Sequence, residues 1–422
     1  MSEAEFQLPP EYMAREKRLM DAAGLTKPDR VPVMPLNCLY YANRALGITN
    51  AEAQADYVKR HECMKRITLD LDLDFAPQVF NLAPIPFFEI LGVTDFKWPG
   101  GELGVNAPNQ YIEKEYLQAD EYDEYLADPD TFTWKKLWPR FSRTMGLMSQ
   151  VQIPPVHPFT TGWFLGLNIG SIVSSPEAME FLQRMLDLGR EAQKYLGALI
   201  GYFTEMAGLG YPMSWSAGVF PAFDVVSHDL RGMRGTVLDM YRQPDKLLAL
   251  IERLTPATIA TARGYVQMFN TNRVLVPILR GVDGVLSDEQ FARFYWPSLK
   301  ALLLAIIEDG LLPLIWFEAD CTSRLKYFDE LPKSNIVAHF HGVDRRKTKA
   351  LIDGKMCFWG NVPSSKLIMG TPQQVKDDVK ELIDIFGDNG GLIIDGEIGI
   401  PDEARPENVA AMVEAAREYG RY

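Results

Sequence analysis

The chain has 422 residues, 47% of them hydrophobic, and carries 56 acidic against 43 basic side chains for a net charge of -13. With a mean hydropathy of -0.11, this is the composition of a globular protein with a sizeable core, built as one large α/β domain or two ordinary ones. The negative charge repels phosphate backbones and excludes nucleic acid as an expected partner.

In chain order, EYMAREKRLMDAAGL predicts a first helix, closed by a turn at Lys27-Pro28-Asp29-Arg30. Residues 1–30 lack a basic segment followed by an apolar one, so no signal peptide is expected there. VPVMPL (31–36) reads as a buried strand and residues 51–68 as a helix. LDLDLDF (69–75) alternates strictly, which predicts a half-buried strand with Asp70, Asp72 and Asp74 in water. Residues 95–165 are rich in Trp, Tyr, Pro and Gly, with one short acidic helix at 120–127, and read as an irregular excursion. Near its end Phe159, Trp163 and Phe164 follow His157-Pro158, an aromatic group suited to core, interface or a pocket floor.

Residues 176–208 predict a long helix, with Met179, Leu182, Met185, Leu186 and Leu188 as a broad buried stripe. MSWSAGVF (213–220) reads as a strand, AFDVVSHDLRGMRG (222–235) as a loop, 236–254 as a helix, and RVLVPILRGVDG (273–284) as a strand and turn. Residues 301–317 are the most apolar stretch, and Glu308 and Asp309 interrupt it, so no membrane span is expected. Ser287 with Gln290, and Thr371 with Gln374, have capping-box spacing. Val375, Val379, Leu382, Ile383 and Phe386 then share one helix face, which stops at Gly387.

Four short apolar strands end the chain: LPLIWFEAD (312–320), NIVAHFHGVD (335–344), MCFWGNVP (356–363) and GLIIDGEIGIP (391–401). Helical stretches separate them, which predicts parallel βαβ units. Glu318, Asp320, His339, His341, Asp344, Asn361, Asp395 and Glu397 all stand at strand ends, the pattern of an α/β-barrel active site. His339 and His341 share a strand face. Burying both imidazoles against helices is costly, so a polar mouth is the cheaper place, where they suit zinc binding or acid–base work. Glu318 and Asp320 form a second same-face pair, and Glu397 stands ready to close the set. Each acid also fits a plainer role as a helix cap or solvated loop group.

Cys38, Cys63, Cys321 and Cys357 are scattered without a CxxC pair, which suits a cytoplasmic location and excludes a four-thiolate zinc site. Cys321 and Cys357 read as structural. There is no GxGxxG, P-loop lysine, GxSxG or HExxH motif.

Two C-terminal segments, MCFWGNVPSSKLIMGTPQQVKDDVKELI and IGIPDEARPENVAAMVEAA, resemble the "GN-V-P-S/D…L…GTPEEV" and "GIP…PEN…AM…A" blocks of the uroporphyrinogen decarboxylase superfamily. KPDRVPVMP and GVLSDEQFARFYWPSLK are similar to its opening and central blocks. The resemblance implies an α/β fold, a single (β/α)8 TIM barrel over roughly 25–422, within one domain of residues 1–422 with 100–165 as an irregular extension. It implies either decarboxylation of uroporphyrinogen or methyl transfer involving a corrinoid protein, usually assisted by zinc. The decarboxylase's arginine-rich signature aligns with NCLYYANRALG (37–47), which holds only Arg44, too few cations for a substrate with eight carboxylates.

The methyltransferase branch therefore resembles this chain better, although its cysteine positions fall at Glu318 and at Ile398 beside Glu397. An oxygen-rich site of that kind suits activation of an ether oxygen better than a thiol. The expected enzyme is a corrinoid-dependent methyltransferase of the O-demethylase type, acting on a small donor such as a methoxylated aromatic. Its catalytic residues would be His339, Glu318 and Glu397, with zinc on His339, Glu318 and His341. Trp163, Trp215, Trp316, Asn361 and His228 would contact substrate, and Trp359 adds to the aromatic mouth. The chain has no cobalamin-binding Asp-x-His-x-x-Gly block, so the corrinoid would arrive on a separate protein, and the resemblance implies a homodimer. Two rival expectations are a decarboxylase or lyase of a smaller acid, clamped by Arg231, Arg234 or Arg280, and a non-catalytic barrel that sequesters a tetrapyrrole or aromatic ligand.

Overall fold

The computed structural model describes residues 8–78, 84–149, 162–216 and 218–422, and the side chains at 162–165 and 168 lie outside the description. Strands β1 (Phe96–Lys97) and β2 (Gln110–Tyr111) form a small antiparallel pair. Strands β3 (Arg273–Ile278), β4 (Leu312–Phe317), β5 (Val337–His339), β6 (Cys357–Trp359) and β7 (Leu392–Ile393) follow one another in a parallel sheet. This is the α/β arrangement that the alternating strands and helices predict, because parallel neighbours need helical crossovers.

Three further extended segments join the sheet through single bridges. Residues 31–36 lie parallel to β7, with Met34 N–H donating to the Ile394 carbonyl at 3.1 Å and Ile394 N–H to that of Pro32 at 2.9 Å. Asp74 N–H donates to the Val33 carbonyl at 3.2 Å, and Ala76 N–H to that of Pro212 at 2.8 Å. Val219 N–H donates to Leu275 of β3 at 2.9 Å.

The sheet has two apolar faces, as a covered parallel sheet must. On one, Leu275, Leu314, Val337, Cys357 and Ile393 pack with Met34, Leu36, Phe75, Trp215 and Trp359. On the other, Val276, Ile315, Ala338, Phe358 and Leu392 pack into the helix layer. Side chains alternate along a strand, so Trp316 and His339, adjacent in register, share the face of Trp359.

Three expectations change. LDLDLDF is not a strand: the helix Tyr57–Leu71 runs through its start, and Asp72 caps it in the left-handed region at φ 46°. Asp74 is buried, not solvated, because Arg18 (2.6 Å), Arg30 (2.7 and 2.8 Å) and the Val33 N–H (2.7 Å) surround its carboxylate. Residues 222–235 are helical, a π-type turn at Val225–Leu230 leading into the helix Gly232–Arg242. Finally, the helix Pro176–Gly208 buries Ala178, Phe181, Tyr195, Leu199, Tyr202 and Met206, whereas Met179, Leu182 and Leu186 point outward. Its sequence carries two apolar stripes, and the aromatic one takes the core.

Both capping boxes form as spaced: Ser287 accepts from Gln290 N–H at 3.1 Å, and Thr371 from Gln374 N–H at 3.3 Å. Ser287→Ala is expected to lower stability by about 1 kcal/mol, read as a shift of the urea midpoint with an unchanged slope.

Candidate active site

The polar residues at the C-terminal edge of the sheet divide into three groups. The first lies beneath the surface. His339 Nε2 faces Asp395 Oδ2 and the Gly396 carbonyl, each at 3.1 Å, and the imidazole meets the Trp359 ring edge-on at 4.8 Å between centroids. Both neighbours of Nε2 are acceptors, so Nε2 carries the proton and Nδ1 presents a lone pair when the ring is neutral. Nδ1 is buried without a partner. Asp395 also accepts from Leu36 N–H and Gly396 N–H, both at 2.7 Å. Burial pushes its carboxyl up, while His339 and these two N–H groups pull it down. Asp395 thus orients the imidazole and ties β7 to residues 31–36.

The second group is open to solvent. Glu318 follows β4 and is exposed, yet the walls around it desolvate its carboxyl enough to raise its pKa, against Arg280 and His228, which lower it. His228 Nδ1 lies 2.6 Å from Asp229 Oδ1, and its ring stacks on Tyr111 at 4.2 Å. Tyr111 in turn donates its hydroxyl to the His228 carbonyl at 2.6 Å. Arg280 donates to Glu113 at 3.0 Å. Behind it, the buried carboxylate of Asp224 accepts from Leu279 N–H and Arg280 N–H at 3.0 Å each and from the Tyr295 hydroxyl at 2.5 Å. Burial pushes Asp224 up to about 6.

The third group lines a polar cleft of about 380 Å³, with Asp344, Arg345, Asn361 and Glu397 among its walls. Arg345 donates to Asn361 Oδ1 at 3.0 Å and to Asp378 at 2.6 Å, and Ser364 N–H donates to Glu397 at 3.3 Å.

The structure therefore brings Glu318 close to His228, and Asn361 close to Glu397, while His339 is held apart with Asp395. Trp215 is buried in the inner apolar cluster, and Trp316 is half-buried against it. His341 is half-buried, with Nδ1 unpartnered. The side chain of Trp163, and Phe159 and Phe164 with it, lie outside the described residues.

The expected zinc shell of His339, Glu318 and His341 is not gathered: among the described residues, no three His, Cys, Asp or Glu side chains stand together as a metal site. His339 turns its Nε2 to Asp395, and Glu318 has Arg280 and His228 as its neighbours, so these residues do not fit the ion. The cysteines offer no replacement, since burial raises all four thiols. Tyr111 and Glu113 carry no motif, and sequence reasoning missed them; Asp224 and Tyr295 fall in segments that read as a polar loop and a helix face, with no sign that they meet. Asp395 stood at a strand end, which marked its place but not its partner.

Comparison with known proteins shows what this edge is similar to. Residues 219–419 match the uroporphyrinogen decarboxylase (URO-D) family model. This C-terminal stretch, just under half of the chain, is therefore similar to that family. Among curated relatives, it is similar to uroporphyrinogen decarboxylases of Aromatoleum aromaticum (22% identical over 58% of this chain and 67% of that protein). The same holds for those of Syntrophotalea carbinolica (22%, over 42% and 49%) and Alcanivorax borkumensis (24%, over 53% and 61%). The matches thus span between about half and two thirds of the relatives' own length. Over nearly the whole chain, the fold is similar to a methyltransferase from Methanosarcina mazei, with TM-score 0.63, 15% identity and coverage of 96% of this chain and 98% of that one. The likeness of fold thus extends over the N-terminal half that the family model does not reach. No helix among the described residues is long and apolar enough to cross a membrane.

Proposed function

We propose that this protein is a cytoplasmic methyltransferase that moves a methyl group from a small methoxylated aromatic donor to a corrinoid carried by a separate protein. Its scaffold, in this reading, is a single (β/α)8 barrel over roughly 25–422. The bonds that tie 31–36 to β7, 74–76 to 33 and 212, and 219 to β3 support that reading.

The observation that carries the chemistry is Glu318, a carboxyl of raised pKa at the open edge, beside Arg280 and the His228–Tyr111 stack. The corrinoid supplies the nucleophile for the methyl carbon. The chain's task is to seat the donor and protonate the oxygen left behind. An aromatic donor finds flat ring surface along His228 and Tyr111. A carboxyl that retains its proton above the usual range can deliver it to that oxygen as the C–O bond breaks. The donor would thereby leave as a phenol, its methyl group handed to the partner's corrinoid, and the chain's part is to hold the donor in position for that transfer. Among the other expected catalytic residues, Glu397 lines the neighbouring cleft, and His339, fully buried, positions the inner wall.

Decarboxylation would need free cations for substrate carboxylates. Of the three expected clamp residues, Arg231 is buried and bonded to Asp239 and Glu115, Arg280 donates to Glu113, and Arg234 is exposed; Arg345 is bonded to Asp378, and Arg44 to backbone carbonyls. These engagements favour methyl transfer. The test is incubation with methoxylated aromatics and a reduced corrinoid protein under anaerobic conditions, followed by the corrinoid's visible spectrum. Stoichiometric release of the phenol with corrinoid methylation is expected. Release of carbon dioxide from a carboxylate donor, with no methylation, would sink the proposal.

A further inference from the structure

The helices Leu39–Ala45 and Asn50–Ala55 sit beside the loop that follows β7, where Ile400 N–H donates to the Asn37 carbonyl at 2.7 Å. Between them lies a set of buried amides: Asn43 and Gln54 are 0% exposed and Asn50 is 6% exposed. They bond in two rungs. Asn43 Nδ2 donates to Asn50 Oδ1 at 3.1 Å, and Gln54 Nε2 to the Tyr40 hydroxyl oxygen at 3.4 Å. Residues 40 and 43, and residues 50 and 54, are neighbours on their helix faces, so the rungs stand about one turn apart. The loop 105–109 closes the set. Ala51 N–H donates to the Val105 carbonyl at 3.0 Å, Asn50 Nδ2 to the Asn106 carbonyl at 2.9 Å, and Asn109 N–H to the Tyr40 oxygen at 3.2 Å.

These bonds fix which way the first rung faces. Asn50 gives its N–H to a backbone carbonyl, so its oxygen turns to Asn43, and Asn43 must present its nitrogen there. Asn43 Oδ1 is then left over. Together with Gln54 Oε1 and Asn109 Oδ1 it is buried, and among the described residues none of the three meets a donor. Buried acceptors without donors are costly. Three of them on adjoining side chains make a place suited to something positive. One water brings two protons to three oxygens, whereas a cation serves all three at once.

A second feature points the same way. The Asp402 carboxyl acts on the Tyr40 hydroxyl, whose pKa is raised first by burial and then by that negative charge. Asp402 is itself pushed up to about 6 by burial and by Glu403, against the lowering effect of Arg44. Arg44 spends its guanidinium on the backbone carbonyls of Asp402, at 2.6 Å, and Ala404. Positive charge between Asp402 and the amides would relieve the carboxyl and the orphaned oxygens together.

The donor set chooses the ion. Amide and phenol oxygens are hard ligands that suit alkali and alkaline-earth cations rather than zinc or copper. Among the described residues no three His, Cys, Asp or Glu side chains gather as a metal site. A single carboxyl at the margin balances one charge, and rings of neutral carbonyl oxygens are what potassium takes in place of its water.

We infer that this protein binds a potassium-like monovalent cation between the helices Leu39–Ala45 and Asn50–Ala55 and the loop 105–109, held by the side-chain oxygens of Asn43, Gln54 and Asn109 beside Tyr40, with Asp402 as the balancing charge. The ion would tie the loop to both helices. Asn109 directly precedes β2, and Tyr111 of β2 stacks on His228 at 4.2 Å, so occupancy would steady that pair. The binding itself does not depend on the methyl-transfer reading.

The test uses the full chain, exchanged into choline chloride and titrated with potassium chloride at constant ionic strength. Melting temperature should rise by about 1–3 °C and saturate at millimolar potassium, as for a ligand that binds only the folded state. Lithium should give a smaller rise. Gln54→Met keeps the length of the side chain without its oxygen and should abolish the potassium-specific rise. Asn109→Ala, in the loop, provides the same reading if the buried variant folds poorly. Crystals soaked in thallium(I), a heavy stand-in for potassium, should show an anomalous peak at the three amide oxygens. Equal melting temperatures in potassium and choline, a rise that survives in both variants, or ordered water alone where the thallium peak is expected would each overturn the inference.

Discussion

Glu318→Gln is expected to lower the rate of methyl transfer by about 10²–10⁴-fold, the usual share of a positioned acid, with little change in KM. The amide keeps the volume but has no proton to give. The sign of the pH dependence follows from the direction of the shift. Desolvation raises the Glu318 pKa, so the protonated donor persists above the ordinary carboxylate range and is lost as pH rises through the raised value. Activity of the native protein should therefore fall on that limb, and the limb should vanish in the glutamine variant. Glu318 is exposed beyond the end of its strand, so melting temperature should not move. A variant with near-native rate, or one that keeps the same pH limb, would show that another group delivers the proton.

Asp74→Ala is expected to cost about 3–5 kcal/mol of stability. The carboxylate accepts from Arg18, from Arg30 twice and from Val33 N–H. Its side chain is 1% exposed, against 8% and 17% for Arg18 and Arg30. Its removal leaves Arg30 without its ion-pair partner and the Val33 N–H without an acceptor, although Arg18 keeps Asp29. Asp74→Asn preserves shape and one acceptor, so its loss should be intermediate. Urea denaturation followed by tryptophan fluorescence measures both, and a midpoint within experimental scatter of wild type for Asp74→Ala would refute this account. The knot matters beyond its own energy, because Asp74 joins the first helix, residues 31–36 and the segment after Leu71, which carry the bonds next to β7.

The βαβ rhythm, the parallel strands at 312–317, 337–339, 357–359 and 392–393, and both capping boxes were legible in the sequence. Each depends on residues near one another in the chain: a period of two, a serine three residues before a glutamine. The strand-end polar residues were legible as a class for the same reason. Which of them meet was not. His339 and Asp395 lie 56 positions apart, and their contact is decided by the register of β5, β6 and β7. Glu318 acquires Arg280 and His228 from two other crossovers, and Tyr111 comes from the excursion that has no motif of its own. Alternation alone put Asp74 in water, and hydrophobicity alone put Met179, Leu182 and Leu186 in the core. Periodicity reports that a face exists. Only packing decides what that face meets, because a buried carboxylate is tolerable when distant arginines arrive to pair it, and a helix with two apolar stripes can give only one of them to its own core.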